Sequence, residues 1–348
     1  MEWVRGETIG YGTFSTVSLA TPTSNVSGAY PQVMAVKSAD SHGASSLANE
    51  KWVLDNLGDD CDEIVRCYGE DRTVENGEEM HNLLLEYASR GSLASHLKKL
   101  NGEGLPESTV RRHTGSVLRG LRHIHAKGFA HCDLKLGNIL LFGNGAVKIA
   151  DFGLAKRAGE VTASDGEGVQ IRGTPLYMAP ESVNENEYGS EADVWALGCA
   201  VVEMFSGETA WSFKEGSHFM SLLIRIGVGD ELPRIPEDLS EQGKDFLSKC
   251  FVKDPKKRWT AEMLLNHPFV AVDLDHDDFE EEEVVVQWKT EDVFASPRCP
   301  FEFPDWVSTL SDSGTQYHPF ESLEERVATL TTDFIPDWSV TNNWVIVR

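Results

Sequence analysis

His131-Cys132-Asp133-Leu134-Lys135-Leu136-Gly137-Asn138 puts a carboxylate, a cation two residues later and an amide five residues later on one short stretch. Phosphoryl transfer needs these group types together: one to orient a nucleophilic hydroxyl, positive charge near a γ-phosphate, and an oxygen ligand for magnesium. Thirteen residues past Asn138 stands Asp151-Phe152-Gly153. A carboxylate there is a hard oxygen ligand suited to Mg2+ bridging phosphates. Thirty residues after Asp151 comes Glu181, in Ala179-Pro180-Glu181. Taken singly, Asp133 reads as a loop cap and Asp151 as a turn residue. Their order and spacing, with two further elements upstream, give them another meaning.

The first upstream element is Gly10-Tyr11-Gly12-Thr13-Phe14-Ser15. Glycines let a strand-turn-strand backbone approach phosphate oxygens that side chains would block. Alone, the turn is an ordinary hairpin, and Ser15 stands where a third glycine is usual. The second is Ala35-Val36-Lys37, 25 residues beyond Gly12, followed after 13 residues by Glu50. Glu50 shares an apolar helical stripe with Leu47, Leu54 and Leu57. An inward glutamate is costly unless a cation meets it. Lys37 meets it if the helix packs over the sheet, which leaves the lysine rigid and able to bind α/β-phosphate oxygens.

This set of motifs resembles the eukaryotic protein kinases over residues 3–269. The resemblance implies an α+β, bilobal fold: a β-rich lobe with one helix (about 3–88) and a mainly helical lobe (about 89–269), with ATP between them. It implies that Ile9, Gly10, Tyr11, Gly12, Thr13, Phe14, Ser15, Thr16 and Val17 cover the nucleotide, with Lys37 and Glu50 as the phosphate-anchoring pair. Ala35, Leu85, Glu86 and Ala88 would line the adenine pocket, Leu85 as gatekeeper and Leu85-Glu86-Tyr87-Ala88 as hinge. Asp133 would be the catalytic base, Lys135 a γ-phosphate contact, and Asn138 and Asp151 the Mg2+ ligands. Asp193 would support the catalytic loop, and Arg258 would pair with Glu181.

Lys135-Leu136-Gly137 and Gly173-Thr174-Pro175-Leu176-Tyr177-Met178 match serine/threonine kinases, and Thr174 would hydrogen-bond near Asp133 and Lys135. The segments GTPLYMAPESV and DVWALGC look more specifically like plant mitogen-activated protein kinase kinase kinases of the MEKK-like group. MEWVRGETIG, HCDLKLGN and PDWSVTNNWV look like its small single-kinase-domain members linked to stress and abscisic acid responses. MAP kinase kinases are then the implied substrates. One departure is Cys132, where most kinases carry an arginine that binds a phosphate on the activation loop. Its replacement removes one charge-assisted partner and implies activity without loop phosphorylation. Thr162, Ser164 and Thr174 are candidate phosphosites. Cys132 reads as a small buried side chain, with oxidant sensing as the alternative.

Composition agrees with a soluble globular chain. The 348 residues are 41% hydrophobic and 25% charged, with 31 basic against 56 acidic side chains and net charge −25. That sign disfavours a nucleic-acid coat and an anionic membrane surface. Six cysteines without C-x-x-C spacing point to free thiols in a reducing compartment. No apolar stretch is long enough for a membrane span. The expected location is cytoplasmic, with nuclear entry open through partners.

Residues 3–40 and 81–87 read as strands and 46–57 as a helix; Val110, Val117, Leu121 and Ile124 mark another helix that ends at Gly128. Ser190 and Asp193 read as a capping box for the helix closed by Gly207. After residue 270 the composition shifts. Residues 271–348 hold 18 acidic and 4 basic side chains, a partly disordered tail. Its acidic run, Asp273 to Glu283, is either a solvated spacer or a dock for a basic segment. Two Pro-Asp-Trp elements, at Trp306 and Trp338, either dock a kinase, phosphatase or receptor component or fold back. Ser296-Pro297 is a weak proline-directed site. Two other readings remain open: a kinase acting outside the cascade on a cytoskeletal or transcription target, and a nucleotide-binding scaffold that signals through its tail.

Overall fold

The computed structural model describes residues 2–12, 15–23, 30–158, 172–212 and 219–271. The small lobe is an antiparallel sheet of β1 (Trp3–Tyr11), β2 (Thr16–Pro22), β3 (Met34–Ala39), β4 (Cys67–Glu75) and β5 (Glu78–Glu86), ordered β1-β2-β3-β5-β4, with helix α1 (Ala44–Leu57) against it. β3 is buried at every position because both its faces are covered. The two-residue alternation of a strand then sorts its side chains. Met34 and Val36 join Ala20 and Leu84 in a small cluster on one face. Ala35 and Ala39 enter the main core with Leu47, Val53, Leu54 and Leu57 of α1. Lys37 lies between them in register and so points toward α1.

On the face of the Met34–Val36 cluster, a polar network continues where the apolar packing ends. Arg5 donates to Ser38 Oγ (2.8 Å), Asn82 Oδ1 (2.9 Å) and Glu75 Oε1 (2.7 Å). Buried Ser38 and Asn82 are thereby satisfied, which removes most of the cost of burying them.

The large lobe follows: α2 (Leu93–Lys99), α3 (Glu107–Ala126), β6 (Phe129–Ala130), β7 (Ile139–Leu141), β8 (Val147–Ile149), β9 (Lys156–Arg157), α4 (Pro180–Asn184), α5 (Ser190–Ser206), α6 (Phe219–Gly227), α7 (Glu241–Cys250), α8 (Ala261–Leu265) and α9 (Pro268–Ala271). α3 buries Val110, Val117, Leu121 and Ile124 as their spacing predicts, and Gly128 follows at φ +79°. That left-handed conformation is open to glycine without penalty. α5 is the central helix of this lobe, buried on nearly all sides, and Gly207 closes it at φ +71°.

One expectation needs correction. Ser190 and Asp193 form no capping box: Gly189 is the N-cap residue of α5, with no side-chain cap bond. Asp193 turns instead to the loop at 131–132. The box that does form is at α2, where Ser92 Oγ accepts from Ser95 N–H and Ser95 Oγ from Ser92 N–H. The sequence reading also lacked β4 and the short pairs β6–β9 and β7–β8. The acidic run, Ser296, Trp306 and Trp338 lie outside the described residues, as do Thr162 and Ser164.

Candidate active site

Antiparallel pairing sets Val17 opposite Lys37 and Ala35 opposite Leu85. All four side chains therefore line one face of the sheet. β1 brings Ile9, Gly10 and Tyr11, and β2 brings Thr16 and Val17, with Gly10 paired to Val17 and Tyr11 to Thr16. Gly12 N–H donates to Ser15 O at 2.7 Å and ties the ends of β1 and β2 together. A Cβ on Gly12 would sit 3.1 Å from Ser15 Oγ, so these two residues are closely packed. Thr13 and Phe14 lie outside the described residues.

Lys37 Nζ lies 2.5 Å from Glu50 Oε2 and 2.8 Å from Asp151 Oδ1. Burial works against the ammonium, but the Asp151 and Glu50 carboxylates outweigh it and hold the Lys37 pKa above the usual lysine value. Burial likewise opposes ionisation of Asp151, yet the Lys37 charge and hydrogen bond bring its pKa down to about 2. At Glu50 burial dominates and pushes the carboxyl up, with Lys37 pulling it down. Glu50 is wholly buried, whereas the Asp151 side chain is 46% exposed. Of the two carboxylates on Lys37, only Asp151 opens to solvent.

A second cluster surrounds Asp133. Thr174 Oγ1 donates to Oδ1 (2.8 Å) and accepts from Lys135 Nζ (2.9 Å), and Lys135 Nζ also reaches Oδ2 (2.8 Å). Asn138 Nδ2 donates to Asp133 O (2.8 Å) and Oδ2 (3.2 Å). That use of the amide nitrogen turns the Asn138 Oδ1 oxygen away as the available donor atom. A carboxylate offers about four lone-pair positions, and three are occupied, so one on Oδ1 remains. Gly173 crosses this cluster at φ +91°, and a Cβ there would meet Cys132 O at 2.7 Å. Only glycine fits that crossing.

The loop is held from below. Asp193 accepts from His131 N–H (2.8 Å), Cys132 N–H (2.9 Å) and His125 Nε2 (2.9 Å). Burial opposes its ionisation, but the His125 hydrogen bond and charge keep its pKa low. His131 completes the brace: Nδ1 accepts from Asp133 N–H at 3.3 Å and Nε2 meets Ala150 O at 3.1 Å, a pairing that fits the neutral Nε2–H tautomer. Cys132 and Asp151 both have positive φ, +67° and +66°. Such conformations cost on the order of 1–3 kcal/mol each, and here both sit in the loops that present Asp133 and Asp151. The Cys132 thiol faces Ala130 O at 3.4 Å, and burial pushes its pKa well above the ordinary thiol range.

Arg258 closes on Glu181 through two hydrogen bonds, 2.6 and 2.9 Å. Tyr177 OH donates to Glu203 on α5. At the end of β5, the Glu86 carboxylate is taken by Lys148 of β8 (2.8 and 3.0 Å), so its side chain faces away from Lys37 toward the large lobe. Leu85 is buried, and Ala88 O accepts from Gly91 N–H at 3.1 Å. Sequence reasoning missed the Lys148 partner of Glu86 because nothing local to either residue signals it. It also missed Asn49, whose amide reaches the 152–155 segment. Among the described residues no helix is long and apolar enough to cross a membrane.

Comparison with known proteins agrees with this geometry. The protein kinase domain family matches residues 3–270. Mitogen-activated protein kinase kinase kinase 20 of Arabidopsis thaliana is 73% identical over the full length of both chains. Mitogen-activated protein kinase kinase kinase 18 of the same plant is 42% identical over 78% of each chain. The serine/threonine-protein kinase BCK1/SLK1/SSP31 of Saccharomyces cerevisiae is 36% identical over 78% of this chain and 18% of its own. The chain belongs to the protein kinase family. Its activity is that of a serine/threonine protein kinase, and the family uses ATP with a divalent metal.

Proposed function

We propose that this kinase acts as a mitogen-activated protein kinase kinase kinase, phosphorylating serine or threonine hydroxyls of MAP kinase kinases. The support is its identity to proteins of that name and one observation in the site: the Asp133 carboxylate, fixed by Thr174, Lys135 and Asn138, keeps a single free acceptor position. That position takes the proton of a substrate hydroxyl as its oxygen bonds the γ-phosphorus of ATP and the bond to ADP breaks. Lys135 neutralises charge on the γ-phosphate.

Asn138 Oδ1 and the exposed Asp151 carboxylate are hard oxygen donors that suit Mg2+, which is commonly held by one or two protein ligands plus substrate phosphates. The ion supplies charge neutralisation of the phosphates when bound. Lys37, steadied by Glu50, binds the α/β-phosphates. The turn from Ile9 to Val17 covers the nucleotide, and Ala35, Leu85 and the backbone at Glu86 and Ala88 take the adenine. The stress or abscisic acid setting rests on the motif resemblance, and a cytoplasmic site of action on the scattered free cysteines.

The test is transfer of radiolabelled phosphate from ATP to a panel of purified MAP kinase kinases, with Asp133→Asn and Lys37→Met beside the parent. Labelling that needs both residues and prefers this panel over cytoskeletal and transcription-factor proteins supports the reading. Equal labelling of unrelated proteins places the kinase outside the cascade. A signalling output that survives Asp133→Asn belongs to a scaffold.

A further inference from the structure

Two neighbouring side chains of α1 grip the segment after Asp151 by both kinds of backbone group. Glu50 Oε1 accepts from Phe152 N–H at 3.3 Å. Asn49 Nδ2 lies 3.2, 3.1 and 2.9 Å from the carbonyl oxygens of Phe152, Gly153 and Ala155. An amide carries two N–H bonds, so three acceptors imply a shared, three-centre arrangement. The carbonyls converge because Ala155 N–H bonds to Phe152 O at 3.0 Å and curls the segment into a turn around the amide. The fit is close: a Cβ on Gly153 would lie 2.3 Å from Ser46 Oγ of α1.

A second tie lies one helical turn along α1. Trp52 packs edge-on against Phe129 of β6 with centroids 5.3 Å apart. Arg157 of β9 stacks over both rings, 5.3 Å from Trp52 and 5.5 Å from Phe129. Phe129 and Arg157 are also paired in the β6–β9 ladder. Glu50 thus sits between two attachments that join α1 to the 152–157 segment.

We propose that Asn49 is a positioning residue for phosphoryl transfer, with the Trp52–Arg157 stack as its second support. Together they hold the segment against α1, so that Lys37, Glu50 and the strained Asp151 stay assembled without charge added elsewhere in the chain. The residue type fits the task. Three carbonyls need a donor, which rules out aspartate. This inference rests on the kinase reading for its catalytic consequence but not for its structural one.

The experiment uses the full-length chain with Asn49→Ala, Trp52→Ala and Arg157→Ala, read by hydrogen exchange and by steady-state transfer to a purified MAP kinase kinase. In Asn49→Ala, amides of residues 150–158 are expected to exchange at least about tenfold faster. The kcat is expected to fall roughly ten- to thirtyfold with KM for the protein substrate little changed. Trp52→Ala and Arg157→Ala lower kcat about threefold each. Adding Asn49→Ala to Glu50→Gln costs little beyond Glu50→Gln alone, because both act on one set of groups. Unchanged exchange in Asn49→Ala overturns the proposal whatever the activity, as does full multiplication of the two effects. Should Asn49→Ala not fold, parental kcat in both Trp52→Ala and Arg157→Ala overturns it. A parent chain that transfers no phosphate refutes the kinase reading instead, and the exchange result still decides the clamp.

Discussion

The Arg258 guanidinium, fully enclosed, meets both oxygens of Glu181 across 77 residues of chain. It also donates to the backbone at Val252 and Glu191, at 2.9 and 2.7 Å. Removing one partner of such a pair strands a buried charge. Arg258→Ala is therefore expected to destabilise the kinase domain by about 3–5 kcal/mol. Denaturant unfolding checks this, and a loss below about 1 kcal/mol would show that the pair contributes little.

Thr174 is predicted to act through its hydroxyl. Thr174→Val should lower kcat about 10- to 100-fold, since Asp133 and Lys135 lose their shared partner. Thr174→Ser should stay within about threefold of the parent. A phosphate on Thr174 would place a charge of about −2 beside Asp133, so among the candidate phosphosites this one is inactivating. Thr174→Glu is expected to be inactive in the same assay, and an active Thr174→Glu would reverse that assignment.

Cys132 supplies no charge to receive a loop phosphate, and its thiol stays neutral because burial raises its pKa. Phosphatase-treated protein should keep more than about a tenth of its starting rate. In the native state at pH 8, iodoacetamide should leave Cys132 unmodified while the unfolded chain reacts. Mass spectrometry of the tryptic peptide separates the two outcomes.

His113 on α3 makes the fold acid-sensitive. Burial first, then the nearby Arg112, His96 and Arg90 charges, depress its pKa to about 3. The unfolded imidazole binds its proton near pH 6.5. Stability from the buried neutral ring is therefore complete above that pH and drains away as pH falls toward 3. Between pH 7 and 5 the parent should lose about 2 kcal/mol more than His113→Gln. Equal losses from pH-dependent unfolding curves would refute this role.

The meeting of Lys37 with Glu50 and Asp151, and of Asn138 with Asp133, was legible in the sequence because the motifs set particular residue types at constrained spacings. The helical stripes of α1 and α3 were legible because burial imposes their period. β4 was not: Glu70, Asp71, Arg72 and Glu75 lie on an edge strand, where one face and one margin are open to water and need no apolar pattern. Asp193 was read two ways: the motif resemblance placed it under the catalytic loop, where it lies, while the capping-box reading failed because a carboxylate three residues after a serine looks the same whether it serves its own helix or a loop 61 residues away. Asn49 gave no local sign, since its acceptors lie 103–106 residues on.

The link between α1 and β4 belongs mechanically to the other lobe. Ile149 N–H bonds to Glu63 O at 2.8 Å, Val65 N–H to Ile149 O at 3.0 Å, and Arg119 holds the Glu63 carboxylate at 2.5 Å. The C-terminal end of α1 is thus a fulcrum and the helix a lever. Any swing grows toward Ala44, and a small torque applied near Ser46 moves the ammonium's partner further than the same push delivered at Leu57.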